Sequence, residues 1–531
     1  MQSSRVENDR HRNFFRWALE EGKFVCTVEL VLGRDHNATG AEEFVREASQ
    51  QVDGIRVISL TDLPGGNPAL PPEAFVSYVL AHNLTPIAHL TGKDGNRSFL
   101  EGRLHALARL GAENILALTG DAQKGGFAGT SKPVHDLDSV LILWLLRALR
   151  SVLPYNPGLM KECGTIYDFF AGAVVNPYKV REPDLWMQFY KLQLKVAVGA
   201  QFIIPQIGYN IRKLYELKQY MVREDIGHVP VLANVYVPTA RIARMMQSGE
   251  IAGCVITNEF IKRLEGETKL QKLERAALMV AAVKDLGFAG AHLGGFGLVH
   301  RDAMTVVERA ASIGKDWRRR VDELLFPCPN EFYLYPQRGD GLSDSAADYQ
   351  ISQVKPHASL VQRLSRMAYR HLIRDGSLGA RFFSRRLQPG NRKSPNNSWR
   401  HGPWHRFLAP STLYRQATLG CLSCGDCLQD HLNYAGCTMR RCYKELRNGP
   451  CGGSRLDGTC EVRPDQPCIW NQVYLSTLAM GDDPKKFSHV LVPPRDWSLD
   501  RTNALANRFA GLDNVRKRID LQAPLMKERP C

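Results

Sequence analysis

The sequence has no window approaching 18 uninterrupted apolar residues; its most conspicuous run, Val140 to Leu146, is too short to cross a bilayer. It also has no export signal: MQSSRVENDRHRNFF carries charges where a signal peptide needs its apolar core, which points to the cytoplasm. No phosphate-binding loop of the Walker type occurs, no glycine fingerprint follows the first strand-like run in VELVLGRDHN, and there is no internal repeat. Cytoplasmic thiols stay reduced, so the 13 cysteines read as metal ligands or core thiols and not as a disulfide framework. Acid is scarce in one place. Residues 351–410 hold 12 Lys and Arg against a single acid, Asp375, so +11 of the net charge of +15 falls in 60 residues and +4 in the other 471. The basicity belongs to one segment and not to the fold as a whole.

What remains is an ordinary globular composition, 44% hydrophobic and 23% charged over 531 residues, long enough for a large barrel with additions. From Phe24 to about Ala311, short apolar runs alternate with amphipathic stretches. The runs predict strands at 24–30, 54–61, 85–91, 114–119, 170–175, 201–206, 229–235 and 289–294. Apolar residues three and four apart predict helices at 41–51, 72–82, 98–111, 138–150, 184–199, 210–222 and 270–286. Eight such units in this length predict an α/β fold, a (β/α)8 TIM barrel, with a doubly wound open sheet as the structural alternative. The expected domains are a barrel at 1–315, a basic helix (351–374) and connector within 316–415, a small cysteine-rich metal domain at 416–485, and a tail at 486–531.

In such a barrel the chemistry sits where the C-terminal ends of the strands meet their loops. Polar residues there are Glu29, Thr61, His89 with Thr91, Asp121, Asn176, Gln206, and His292 followed by Gly294 and Gly295. Any one of these is more often a loop hydrogen-bonder than a catalyst; as a set they mark a site. Glu29 ends an apolar run, which disfavours its charged form and suits a proton donor. Asp121 follows LALTG in a sharp turn and suits an ionised group beside a developing positive charge. The plain alternative is that one of them forms an ion pair with Lys195. The GGFG at 294–297 permits close backbone approach by a phosphate, or is an ordinary tight turn.

TVEL around Glu29, HLT at 89–91, LALTGD ending in Asp121 and KVAVGAQFIIPQ from Lys195 to Gln206 resemble, in this order, the flavin-dependent 5,10-methylenetetrahydrofolate reductases, over residues 15 to 310. The resemblance implies a barrel with a non-covalent flavin, FAD or else FMN, that reduces methylenetetrahydrofolate to 5-methyltetrahydrofolate. It implies Glu29 as the general acid that opens the imidazolidine ring and Asp121 as the acid stabilising the resulting cation. Gln206 is then the residue bonding the folate, and Thr61, His89, Gly120, Asp121 and Lys195 contact the flavin. The sequence departs from the family at Thr119, often Arg in bacterial members, and at Gly294, where some members carry an aromatic. After the seventh strand, VYVPTAR offers only Tyr236, so the electron donor, NAD(P)H or a ferredoxin-type carrier, stays open.

Residues 420–470 hold eight cysteines: Cys421, Cys424, Cys427, Cys437, Cys442, Cys451, Cys460 and Cys468. Eight thiolates suffice for two four-iron clusters, two zinc sites, or one of each; the run of three at x2 spacing favours iron-sulfur, with zinc as the alternative. The module resembles the cysteine-rich partner or extension of methylenetetrahydrofolate reductases of anaerobes, which implies an electron relay. The other cysteines, Cys26, Cys163, Cys254, Cys328 and Cys531, are scattered, Cys26 and Cys254 in apolar context suggesting core thiols. Two other functions compete: a pterin-dependent methyltransferase barrel without flavin, and a barrel scaffold with a zinc-type nucleic-acid module. No groove-reading motif accompanies the basic segment, so nucleic acid is the weaker reading. A homo-oligomer is compatible with the sequence.

Overall fold

The computed structural model describes residues 13–34, 38–51, 54–150, 167–350, 356–387 and 407–522. The chain forms two compact units, Met1–Ser352 together with Gly452–Asp457, and Gln353–Cys451 together with Gly458–Cys531.

The first unit contains β1 (Val25–Leu30), β2 (Val57–Leu60), β3 (Thr85–Thr91), β4 (Asn114–Leu118), β5 (Phe170–Val175), β6 (Phe202–Pro205), β7 (Leu232–Tyr236) and β8 (Gly290–Gly294). All pair in parallel in the order β6-β5-β4-β3-β2-β1-β8-β7. A single parallel bridge, Ile203 to Val231, joins β6 to β7 and brings the ring round. The strands are mostly apolar because both faces are covered; β2, β6 and β8 are buried at every position. All eight expected strands are present, and the fold is the expected (β/α)8 TIM barrel with an additional C-terminal domain.

Around the barrel lie α1 (Phe14–Glu20), α2 (Thr39–Ser49), α3 (Val76–Ala81), α4 (Arg97–Arg109), α5 (Ser139–Arg150), α6 (Glu182–Val198), α7 (Ile211–Arg223), α8 (Ala240–Gln247), α9 (Asn258–Gly266), α10 (Lys269–Asp285) and α11 (His300–Ile313). α1, α8, α9 and α11 lie outside the helical stretches named from the sequence. α1 stops the N-terminal end of the barrel: Phe15 lies edge-on to Phe170 and Phe202, with ring centroids 5.8 and 5.0 Å away, among Val25, Val57, Ile87, Leu116 and Leu232. At seven residues it is too short for a periodic signal; the aromatic contacts hold it. The barrel unit extends beyond residue 315. Trp317 Nε1 donates to Asp285, and buried Glu216 accepts from the amides of Leu334 and Tyr335 and from Ser343 Oγ.

The second unit has little sheet. It contains α12 (Leu360–Ala368), continued by a π-helical turn to Ile373, then α13 (Leu378–Leu387), α14 (Ala409–Leu419), α15 (Thr438–Arg441), α16 (Ile469–Ala479) and α17 (Ala504–Ala510). Two-residue strands β9 (Val490–Leu491) and β10 (Ile519–Asp520) pair antiparallel. The stretch read as a connector at 376–410 therefore carries a helix, α13, whose Ala380 and Leu387 pack with Phe509 and Ala510. The part of the basic segment at 351–355 and 388–406, with Cys163 and Cys531, lies outside the described residues. Residues read as a tail after 486 belong to this unit's core, where Phe487, Leu491, Val492 and Leu499 are buried. Among the described residues no helix is long and apolar enough to cross a membrane.

Candidate active site and cysteine centre

The inward faces of β1, β2, β3 and β8 carry the polar groups. Thr27 and His292 are register partners on β1 and β8, and Thr27 Oγ1 lies 2.7 Å from His292 Nδ1. The other imidazole nitrogen, Nε2, is 3.6 Å from Glu29 Oε2. On the next strands Ser59 Oγ and His89 Nε2 are 2.7 Å apart. His292, Thr27, Ser59 and His89 are buried, whereas the Glu29 side chain keeps 24% of its surface. One carboxylate thus stands beside the buried His292, which a hydroxyl holds, with a second hydroxyl-held imidazole, His89, on β3.

Their electrostatics differ from the expectation for Glu29 in direction. Desolvation pushes its pKa up, but the hydrogen-bonding and charge interactions with His292, helped by His89, outweigh that and hold it below the ordinary carboxylate value. The sequence reading weighed the apolar neighbours of Glu29 along its own strand and had no means of seeing His292 on β8. Burial, partly offset by Glu29, drives His89 down to about 4, so at neutral pH it is an uncharged hydrogen-bonding group. Tyr236, at the end of β7, is pushed up to about 12 by burial and then by Glu29.

Loops after β2 and β4 close on one another. Asp121 Oδ2 accepts from the Gly65 amide at 3.1 Å, and Lys124 N donates to Gly66 O at 2.9 Å. Gly66 has φ +75°, and a Cβ there would stand 1.8 Å from Ala122 O, so only glycine permits this approach. Gly120 has φ +87° and would press a Cβ to within 2.8 Å of the Lys93 side chain. Thr61 Oγ1 donates to Leu30 O at 3.3 Å. Behind this rim Asp62 accepts from Thr91 N and Oγ1 at 2.8 and 2.7 Å and from Arg103, which also holds Glu73. This buried network fixes the ends of β2 and β3 and went unread because its members lie on separate helices and loops.

At β5 and β6, Gln206 turns its side-chain oxygen onto its own neighbour, the Ile207 amide at 2.9 Å. Its Nε2 lies where a Cβ on Gly253 would be, 2.9 Å away. Asn176 Nδ2 donates to Gly253 O at 2.7 Å and to Gly452 O at 3.1 Å. The segment Gly452–Asp457, part of this unit, is held further by Lys179 Nζ on Ser454 O at 2.7 Å and Arg181 Nη1 on Asp457 O at 2.9 Å. Nothing in the local sequence announced that contact. Cys254, expected as a core thiol, sits in the loop that carries Gly253, half-buried; burial, then Asp121, pushes it up to about 12. Lys195 lies on α6, its ammonium donating to Val174 O at 2.5 Å, and burial with the nearby Lys191 drives it down to about 7. Among the described residues Lys195 makes no ion pair with Glu29 or Asp121, the plain alternative for those acids; its neighbour Lys191 pairs with Asp138 at 3.3 Å.

Both departures in the sequence have a local structure. Thr119 Oγ1 donates to Ser139 Oγ at 3.2 Å, tying the end of β4 to the start of α5. Gly294 pairs in register with Tyr236, and a Cβ there would stand 3.0 Å from the Tyr236 ring and 3.9 Å from Glu29 Cβ. The missing side chain makes room for the tyrosine from the neighbouring strand.

The methylenetetrahydrofolate reductase family matches residues 15–295, more than half of the chain, and covers all eight strands but part of none of the C-terminal unit. The chain belongs to the methylenetetrahydrofolate reductase family. A second family, described as the methylene-tetrahydrofolate reductase C terminal, matches residues 405–498 and so spans the cysteine module. Membership supports methylenetetrahydrofolate reductase activity for the barrel. No curated protein matches the chain. Among solved structures, an uncharacterized protein from Clostridium thermocellum that binds two copies of 5-methyl-5,6,7,8-tetrahydrofolic acid is 12% identical, with TM-score 0.37, covering 56% of this chain and 98% of its own. A putative lyase/mutase from Burkholderia cenocepacia J2315 is 14% identical, with TM-score 0.28, covering 57% and 87%.

In the second unit Cys421, Cys424, Cys427 and Cys437 line one small cavity. Gly425, at φ +74°, sits between the second and third of them where a Cβ would meet Leu499 O at 1.9 Å, so the Cys-x2-Cys-x2-Cys loop needs glycine at its tightest point. Burial, then the nearby Cys451 and further on Cys460, pushes the Cys442 thiol up to about 12. Cys460 N bonds Gln466 O and Thr459 pairs with Pro467 in a small hairpin that ends at Cys468. Among the described residues, no three of His, Cys, Asp or Glu are drawn together closely enough to hold an ion as they stand. The surroundings are nonetheless rigid: buried Asp426 accepts from Arg447 at 2.9 Å and from Asn514 N and Nδ2 at 2.7 and 2.6 Å.

Proposed function

We propose that the barrel reduces 5,10-methylenetetrahydrofolate to 5-methyltetrahydrofolate with a bound flavin, and that the cysteine module carries electrons to it. The observation that carries this reading is the Glu29–His292–Thr27 array at the mouth, one carboxyl backed by a buried imidazole and a hydroxyl. Thr61, His89, Gly120 and Asp121 fit a flavin as hydrogen-bonding groups and open backbone at the ends of β2, β3 and β4. Buried Gln123 Oε1 and Tyr178 Oη, without partners among the described residues, offer further polar contacts near that rim and near β5. The flavin, FAD or FMN, supplies hydride when bound.

The chain's own residues do the rest. Glu29 delivers a proton to the ring nitrogen of the substrate as the imidazolidine opens. Seating a flat pterin over Glu29 removes its remaining water and raises its proton affinity, the change that makes a carboxyl with this partner an acid during turnover. His292 keeps the carboxyl aimed, and Thr27 keeps His292 aimed. Asp121, fixed by the Gly65 amide, places negative charge beside the cation that follows ring opening. Gln206 turns its amide to bond the folate, and Lys195 supports the flavin from behind β5. In the second unit Cys421, Cys424, Cys427 and Cys437 would hold one centre and Cys442, Cys451, Cys460 and Cys468 another, iron-sulfur in preference to zinc; thiolate ligands of this kind serve one-electron transfer.

The test is Glu29→Gln. Flavin content is expected to match the unsubstituted enzyme while the rate of oxidation of reduced flavin by methylenetetrahydrofolate falls by at least 10^3-fold, the scale of a lost general acid with its positioning. Full activity in that variant removes the acid assignment.

A further inference from the structure

The second unit contains a cavity of about 350 Å³ that the folate chemistry does not use. It is walled by Tyr369 and Phe383 of the basic segment, Tyr414 of α14, Tyr434 after the first cysteines, and Phe509 of α17. Its volume is in the range of small-molecule sites, and its lining has the same character, mostly apolar with a few polar groups. Four of the five aromatic walls come from segments far apart in the chain, so this space is made by the fold and not by one loop.

The polar groups are unevenly balanced. Asp430 is occupied by Arg518, which donates to both its oxygens at 2.9 Å. Arg415 and Arg508 remain, opposed by Asp513, a carboxyl that burial raises to about 6. Arg508 is nine-tenths buried, its Nη2 donates to Tyr369 Oη at 3.2 Å, and its nearest carboxylate, Asp375, is 3.9 Å away. Its Nε and Nη1 have no hydrogen-bond partner among the described residues. A buried guanidinium with two nitrogens unsatisfied costs stability unless something bonds to it. Cys427 lines both this cavity and the small one shared by the four cysteines, so an occupant would lie one side chain away from that set.

We infer that this cavity is a second ligand site, for a planar aromatic ring bearing one anionic group, phosphate or carboxylate, with the ring between the tyrosine and phenylalanine walls and the anion on Arg508. Aromatic faces hold flat rings by stacking, and a guanidinium binds phosphate or carboxylate through paired hydrogen bonds.

The experiment titrates the full-length, flavin-loaded protein with flavin mononucleotide, with 2-naphthoate, and with riboflavin, which has the ring without the anion. One saturable site per chain is expected for a phosphate or carboxylate probe, whichever binds tighter naming the anion. Arg508→Met is expected to weaken it at least tenfold, Arg508→Lys to restore most of the affinity, and Leu505→Trp, which fills the cavity, to abolish binding with the thermal transition unchanged. No saturable binding by either anionic probe overturns the proposal. Binding that survives both Arg508→Met and Leu505→Trp overturns the location, and riboflavin binding as tightly as flavin mononucleotide overturns the role of the anion.

Discussion

The barrel and the C-terminal unit solve the same problem by opposite means. In the barrel, eight strands satisfy one another's backbone groups and bury both faces, so its polar side chains are released to the strand ends, where Glu29, His89, His292 and Asp121 stand. The C-terminal unit has only two strands of two residues each among its described residues, and its loops are joined by charged and polar side chains: Asp426 with Arg447 and Asn514, Asp430 with Arg518, Lys444 with Glu461. A sheet tolerates loss of any one side chain because the hydrogen bonds are in the backbone. A unit stitched by side chains and cysteines does not.

The largest effect should follow from breaking a cysteine set. Cys424→Ser, or removal of metal by a chelator, is expected to abolish the cooperative unfolding of the C-terminal unit and expose it to limited proteolysis, with the barrel's far-ultraviolet signal kept. A C-terminal unit that stays folded and protease-resistant would mean that its charge network suffices and the cysteines are not structural. Next comes Asp426→Ala, which leaves Arg447 buried at 4% side-chain exposure without its carboxylate. A loss of about 3–5 kcal/mol is expected in the denaturant transition of this unit, with the barrel transition unmoved. If the barrel transition moves equally, the two units unfold together and the contrast drawn between them fails.

The smallest effect belongs to the barrel. Lys195 has its folded pKa lowered to about 7 against an ordinary 10.5. A base whose folded pKa is depressed binds fewer protons in the native state, so the penalty is full below pH 7 and fades as pH rises from 7 to 10.5. Lys195→Met should therefore be more stable than the unsubstituted protein at pH 6, with the difference narrowing toward pH 10 in chemical denaturation. A constant difference across that range would show that the ammonium is not desolvated.

How much of this was readable from residues alone follows the same division. The barrel strands were legible because fully covered parallel strands are continuous apolar runs, and the strand-end residues were legible because polar groups ending such runs are conspicuous. The pairing of Glu29 with His292 was not, since the first and last strands become neighbours only when the ring closes. α1 is illegible for its length, and α8 and α9 because two short helices precede the long helix expected at 270–286 in the connection from β7 to β8. In the C-terminal unit the cysteines were legible by count and spacing, but the cavity that gathers Cys421, Cys424, Cys427 and Cys437 was not. The residues after 486 looked featureless because their role is to supply partners, Asn514 and Arg518, to acids some 88 positions away. Side-chain networks of that kind leave no period in the sequence.

The central claim, that the strand ends of this barrel hold a flavin and the cysteines hold an electron-transfer centre, is tested most directly by the visible spectrum of anaerobically purified protein with flavin, iron and zinc counted on the same sample. The account expects one flavin per chain together with a broad iron-sulfur absorption that bleaches on reduction. Colourless protein, with no flavin bound and zinc or no metal on the cysteines, would contradict it.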